Sequence, residues 1–391
     1  MKSKLIKRAE GGRSSKVYPK DLQLGDPISS KTFILEWLNL ETIMKKINLL
    51  LLLFAFSVSN IKAQDLGEIL EAGAADASLY FEQYVGPVAA SFTNGLGAGW
   101  YNTAKPHKLL GFDLTFGVNL ANIPSGERTF DYDDVNWNTL QLASGSSSEF
   151  PTIVGGFTDS ELVIPANVPI DVGNGQTITY EQPIEFPALD GADVEGLPVV
   201  GFPVPYAQLG VGLPKNTDLK VRIIPSTEIE DVSLSLIGVG VMHDIKQWVP
   251  GLKQIPFDFS GFIGWTRFSL DSEFDDSSAE FSGSGAVEIS ASSFTMQGII
   301  SKKLAIFTPY VGLGFVVGSS SLDVTGQYEY TESSTGQTVT VNDPISLDFD
   351  GGSSPRLNAG LRLKLLILTF HAEYALQKYN TLTAGVGISI R

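Results

Sequence analysis

Between residues 109 and 121 the chain reads LLGFDLTFGVNLA, and apolar and polar side chains alternate without a break. Leu110, Phe112, Leu114, Phe116, Val118 and Leu120 fall on one face, while Gly111, Asp113, Thr115, Gly117, Asn119 and Ala121 fall on the other. Successive side chains of a β-strand point to opposite faces, so this period of two argues a strand with one greasy and one wet side. The same code returns at 207–213, 307–317, 356–364 and 382–391. Less regular segments at 217–225, 232–244, 257–271, 287–302 and 367–377 bring the expected total to about ten strands.

Two arrangements can use such strands, a soluble sandwich and a closed barrel in a membrane. The wet face carries Lys220, Arg222, Arg356, Arg362 and Glu373, as a hydrated lumen would. The connections also sort by length. Long ones at 122–202, 272–286 and 320–354 alternate with compact ones such as PKNTD and SKKLA. If both termini lie in the periplasm, the long connections face outward, which is the known asymmetry of outer-membrane barrels. A sandwich has no reason to sort its loops this way. The expectation is therefore an all-β fold, an antiparallel transmembrane β-barrel of about ten strands with a short N-terminal periplasmic helix. The 122–202 region is too long for a bare loop; it forms outer hairpins, folds inward, or extends the wall to about 12–14 strands.

Location follows from a second feature, MKKINLLLLLFAFSVSNIKAQD from Met44. Two lysines, an apolar run and a small residue before Gln64 follow the plan of a secretory signal peptide, and the run is too short for a transmembrane helix. The division is then 1–43 as a mis-assigned, disordered start, 44–63 as the leader, 64–105 as a helical lid or plug, and 106–391 as the outer-membrane barrel. Within the third part, Leu66, Ile69, Leu70 and Gly73 share one side of a helix over 65–85, which Gly86-Pro87 ends. There is no cysteine, hence no disulfide and no thiol nucleophile. The net charge of −16 repels phosphates and argues against nucleic acid as a partner.

Few groups suggest chemistry. Arg356, Arg362, His371 and Glu373, with Lys220 and Arg222, form a polar set on the lumenal face, with Glu373 within reach of Arg362. Such a set is either a charge ladder filling a narrow barrel or a proton- or ligand-handling cluster. His107 and His243 read as periplasmic surface groups. Asp131, Asp133 and Asp134, and Asp275 and Asp276, are candidate ligands for hard cations, although no stretch matches a full calcium loop and solvated acidic loops are the simpler reading. Trp100, Tyr101, Trp248, Trp265, Tyr374 and Tyr379 lie near expected strand ends, where aromatic rings settle at a membrane interface. No serine sits at a nucleophile elbow beside a base, so neither an enzyme nor a cofactor or catalytic residue is expected.

Three stretches carry a family likeness: GWYNTAKPHKLLGFDLTFGVNLANIP at 99–124, PYAQLGVGLPKNTDLKVRIIP at 205–225 and GVGVMHDIKQWVPGLKQIPFDFS at 238–260. Together they resemble a family of Bacteroidota outer-membrane barrels with a domain of unknown function. In layout the chain is also distantly similar to FadL-type long-chain fatty-acid transporters, which place a lumenal hatch before the first strand. That resemblance implies a barrel that binds or passes small apolar molecules, with outer-membrane lipid and a hydrophobic small molecule as partners. It carries over no ligand residue, and FadL-type barrels have 14 strands. The alternative is a non-transporting structural or surface barrel whose acidic outer loops bind partners or divalent cations.

Overall fold

A computed structural model describes residue 69 and residues 72–390, apart from 174, 175, 195, 230, 231, 278–280, 332–337 and 344. The readings of 1–43 and 44–63 lie outside the described residues. Among the described residues an α-helix, α1 (Ala74–Leu96), precedes ten wall strands. They are β1 (Phe112–Ala121), β2 (Pro203–Leu213), β3 (Thr217–Ile229), β4 (Val232–Asp244), β5 (Asp258–Ser277), β6 (Phe281–Ser301), β7 (Phe307–Thr331), β8 (Ile345–Leu365), β9 (Leu368–Leu376) and β10 (Thr381–Ile390). Each pairs antiparallel with its neighbours in sequence, and β1 pairs with β10, so the ring closes. A closed ring leaves no strand edge unpaired, which a hydrocarbon surrounding requires.

The alternation seen in the sequence fixes which way each face turns. Along β9 the residues are exposed and buried by turns: Leu368, Phe370, Ala372, Tyr374 and Leu376 point out, and Thr369, His371, Glu373 and Ala375 point in. The outward row Leu313–Leu357–Leu376 crosses three adjacent strands in direct register. Leu313 is 65% exposed while the inward Arg356 is 1% exposed. In water this would be the wrong way round, since it would expose apolar surface and bury charge. In lipid it is the stable choice. The outside of the wall is a belt of Leu, Ile, Val and Phe, and the lumen is lined with polar groups.

The wall is uneven in height. Strands β1, β2, β9 and β10 are short, whereas β5 to β8 run 20 to 25 residues. The long connections expected at 272–286 and 320–354 are mostly strand: β5 and β6 stay paired up to Ser277 and Ser282, and Thr338–Asn342 adds a short strand to the top of β7. The 122–202 connection forms hairpins at the end away from the compact turns, so the wall remains at ten strands. Thr129–Asp131 pairs with Glu149–Pro151, Glu161–Ile164 pairs with Gln141–Leu142 and Ile184–Pro187, and Pro169–Gly173 pairs with Gln176–Thr179.

These hairpins make a cap with its own core. Phe150, Leu162, Ile164, Ile170, Tyr180, Phe186 and Leu189 are buried there with Leu347 and Phe349 of β8 and with Tyr80, Phe81 and Tyr84 of α1. Helix α1 differs from expectation in extent and in place. Of the expected span, 65–68, 70 and 71 lie outside the described residues. The helix itself starts at Ala74, continues through Gly86 and Pro87 to Leu96, and its first half belongs to the cap rather than to the end bearing the compact turns. Proline inside a helix removes one backbone hydrogen bond and costs about 3 kcal/mol. Packing of both halves, in the cap and in the lumen, outweighs that cost.

Substituting an outward residue halfway along the wall tests the orientation. Val239→Arg should lower folding stability in vesicles by roughly 2–4 kcal/mol, read as a shift in urea midpoint by heat-modifiable gel mobility. An unchanged midpoint would mean that this face does not meet lipid.

Candidate functional site

The lumen is occupied by the chain itself. After α1, residues 97–108 descend from the cap end to the compact-turn end, and contacts with the surrounding wall strands fix the path. At the top, Asn119 on β1 donates from Nδ2 to the carbonyls of Gly95 (2.9 Å) and Ala98 (3.2 Å). The last carbonyls of a helix carry partial negative charge, and α1 has no basic residue in its own last turn. Arg222 of β3 supplies the cation. Its Nη1 donates to Leu96 O at 3.1 Å, its Nη2 to Ala98 O at 2.7 Å and its Nε to Gln208 Oε1 at 3.0 Å. The guanidinium lies 3.9 Å from the Trp100 ring centre and 4.4 Å from that of Tyr206. Gln208 closes the loop by donating from Nε2 to Trp100 O at 3.1 Å.

Room for Trp100 is made by glycine. A Cβ added at Gly238, Gly240 or Gly264 would come within 2.9–3.1 Å of the indole. These glycines lie on adjacent strands and share the inward parity, with Gly240 directly opposite Gly264. Further down, the Tyr101 hydroxyl lies 2.8 Å from Gln297 Oε1 and 3.0 Å from Asn358 Oδ1, and Ser301 and Ser260 bind the backbone of Ala104. At the compact-turn mouth, His107 donates its backbone N–H to Asp218 Oδ1 at 2.7 Å, and its Nδ1 lies 2.9 Å from Oδ2. Its Nε2 is 3.4 Å from Asp113 Oδ1, and Lys220 Nζ lies 3.7 Å from Asp113 and 3.9 Å from Asp218. From helix end to mouth, wall side chains hold the segment by polar contacts.

All six residues expected on the lumenal face are buried there: Lys220, Arg222, Arg356, Arg362, His371 and Glu373. They do not form one cluster. Arg222 holds the helix end, Lys220 belongs to the mouth, and Arg356 pairs with Glu373 at 2.8 Å while donating to Gln377 Oε1 at 2.8 Å. Glu373 therefore has Arg356, not Arg362, as its ion-pair partner. Arg362 sits opposite His371 and Glu373 sits opposite Gly360, which the Tyr310 ring covers, so the Arg356–Glu373 pair runs diagonally along the wall and is not set by direct register. His371 Nε2 lies 3.3 Å from the Tyr206 hydroxyl.

Other expectations divide. His107 is buried in the lumen instead of lying on a periplasmic surface. His243 does lie at a compact turn, where it accepts from Trp248 Nε1 at 2.7 Å and meets Thr217 Oγ1 at 2.8 Å. Trp248, Trp265 and Tyr374 face outward, but Trp100 and Tyr101 are plug residues and Tyr379 is buried at the foot of the cap. Burial pushes the Tyr379 phenol up, and the neighbouring Glu127 carboxylate, its hydrogen-bond partner, adds to the rise. Asp131 spends its carboxylate on the Asp133 N–H and the Ser148 hydroxyl. Among the described residues no three His, Asp or Glu side chains converge as a metal site. Asp275 and Asp276 fall in the tall part of β5. Asp113, Asp218, Gln208, Gln297 and Asn358 were not singled out from the sequence, and only their inward parity marked them.

Arg222→Met should leave Leu96 O and Ala98 O without their charged donor. A loss on the order of 2–3 kcal/mol is expected, read as a lower unfolding midpoint. Protease added to the compact-turn side of proteoliposomes should then cut within 97–108. Equal stability and equal resistance would mean that the arginine does not hold the plug.

No curated protein matches the chain. Among solved structures, the translocator domain of autotransporter NalP from Neisseria meningitidis is 8% identical over 72% of this chain and 88% of that one, with a TM-score of 0.27. The beta domain of the Bordetella autotransporter BrkA is 10% identical over 72% of this chain and 100% of that one, at 0.26. The TodX monoaromatic hydrocarbon channel, a deltaS2 mutant, is 10% identical over 73% and 91%, at 0.23. Likenesses this remote carry no argument about this chain. Residues 44–390 match a family of unknown function, DUF6588, over nearly the full length. The chain belongs to that family.

Proposed function

We propose that this protein serves the outer membrane as a sealed barrel that presents a folded acidic cap, and not as a standing channel. The observation that carries this reading is the filled lumen: residues 97–108 are held by Arg222, Gln297, Asn358, Ser301 and Asp218 along its whole depth. A ten-stranded ring has little bore to spare even before a segment is threaded through it. The apolar belt and the leader at Met44 support the outer membrane as the location, with outer-membrane lipid around the wall. The 122–202 connection holds thirteen Asp and Glu against one basic residue, Arg128. Such a surface attracts cations and cationic partners and repels anionic ones. No catalytic role is part of the proposal.

One observation favours a second reading, the binding or passage of small apolar molecules. A groove of about 570 Å³ lies on the wall at the step between the tall β8 and the short β9, lined by Leu313, Pro355, Leu357 and Leu376 with Ser353, Ser354 and Lys378 at its rim. Its Leu313, Leu357 and Leu376 lie on the outward face of the wall, so an apolar molecule would reach it from the membrane.

Planar-bilayer recording separates the readings. The wild-type barrel should show no steady ion conductance, and the double variant Arg222→Met, His107→Ala should show openings. Persistent wild-type conductance would sink the sealed-barrel reading. An aliphatic molecule that co-purifies with the wild type and is lost on Leu357→Asn would favour the second reading.

A further inference from the structure

The direction in which α1 crosses the barrel has a topological consequence. Its N-terminal end is built into the cap. Ile69 is fully buried in the cap core, and Gly73 abuts Ile170 and the carbonyl of Asp171. Asp76, 1% exposed, accepts four hydrogen bonds from the 138–140 loop. They come from Asn138 N (2.7 Å), Asn138 Nδ2 (3.0 Å), Thr139 N (2.7 Å) and Leu140 N (2.8 Å). Tyr80 accepts from Leu189 N at 2.9 Å, and Tyr84 donates to Asp190 O at 2.6 Å. At the other end, Arg222 takes the helix carbonyls, and His107 is tied to Asp218 beside the compact turns. The chain therefore runs from cap to lumen to mouth and only then enters β1.

Taking the cap face as the outer face, we infer that the barrel carries its own N-terminal segment across the membrane, so that Ile69 and the start of α1 stand within the cap on the outer face. A leader delivers a chain to the periplasm, so this end must cross to the far face before or while β1 meets β10 and β6 meets β7. A return passage is blocked, because the lumen already holds residues 97–108, which side chains of β3, β5, β6 and β8 bind. The plug is tied at both ends. It cannot withdraw toward the periplasm as one body unless Asp76, Tyr80 and Tyr84 leave the cap.

The natural chain has no cysteine, so single cysteines report position cleanly. Ala75 in the first turn of α1, Ser147 in the cap and Lys303 in a compact turn are all exposed. In cells making Ala75→Cys, Ser147→Cys or Lys303→Cys, a membrane-impermeant maleimide should label the first two intact and the third only after permeabilisation. Protection of Ala75→Cys while Ser147→Cys is labelled overturns the inference and leaves the cap-outward reading standing; protection of Ser147→Cys overturns both. A short tag inserted just ahead of Ile69 gives the same answer without altering the helix. Protease added to intact cells should remove it, and its survival would count against the crossing.

Discussion

Closure of the sheet is the constraint on which the rest depends. In hydrocarbon no water is available to satisfy a backbone N–H or C=O, so each must find a partner within the protein. The β6–β7 seam, paired from Phe281–Tyr330 to Ser301–Tyr310, and the β1–β10 seam complete the ring. Once the ring is closed, the two-residue period leaves one freedom, which face turns out. Lipid decides it, and the polar half of every strand is then committed to an enclosed space.

That enclosed space needs content. Lysines, arginines and carboxylates confined in a narrow lumen are costly unless each finds partners. The N-terminal segment supplies them in the form of helix-end carbonyls for Arg222, a hydroxyl for Gln297 and Asn358, and an imidazole for Asp218 and Asp113. Arg222 shows the economy of the arrangement, since one guanidinium caps a helix, bonds a wall glutamine and stacks between two rings. The plug and the charged wall satisfy each other. The cap then covers the end away from the compact turns with an apolar core of ordinary kind, in which the same helix takes part.

Much of the wall was legible in the sequence, because a strand with one face in lipid writes its pattern into every second residue. All ten expected strand segments correspond to wall strands, and Arg356, Arg362, His371 and Glu373 were placed on the inward face by parity alone. The N-terminal region was legible only in part. Gly86-Pro87 is locally a stop signal, and only packing at both ends keeps the helix going. Residues 97–108 have no period, so Trp100, Tyr101 and His107 read as interface or surface groups. The clue to them lay elsewhere, in Gly238, Gly240 and Gly264 at inward positions, where missing side chains leave space for an indole. Loop lengths misled for a related reason: polar serine- and acid-rich stretches such as 272–277 and 320–331 are strands that rise clear of the lipid and no longer need an apolar face.

The central claim is that residues 97–108 are a fixed part of the barrel. Hydrogen–deuterium exchange of the full protein in lipid nanodiscs tests it most directly. Amides of this segment that are hydrogen-bonded to the wall, such as those of Ala104 and His107, should exchange as slowly as those of β4 and β5. Exchange at the rate of an open loop, with the wall strands still protected, would contradict the account.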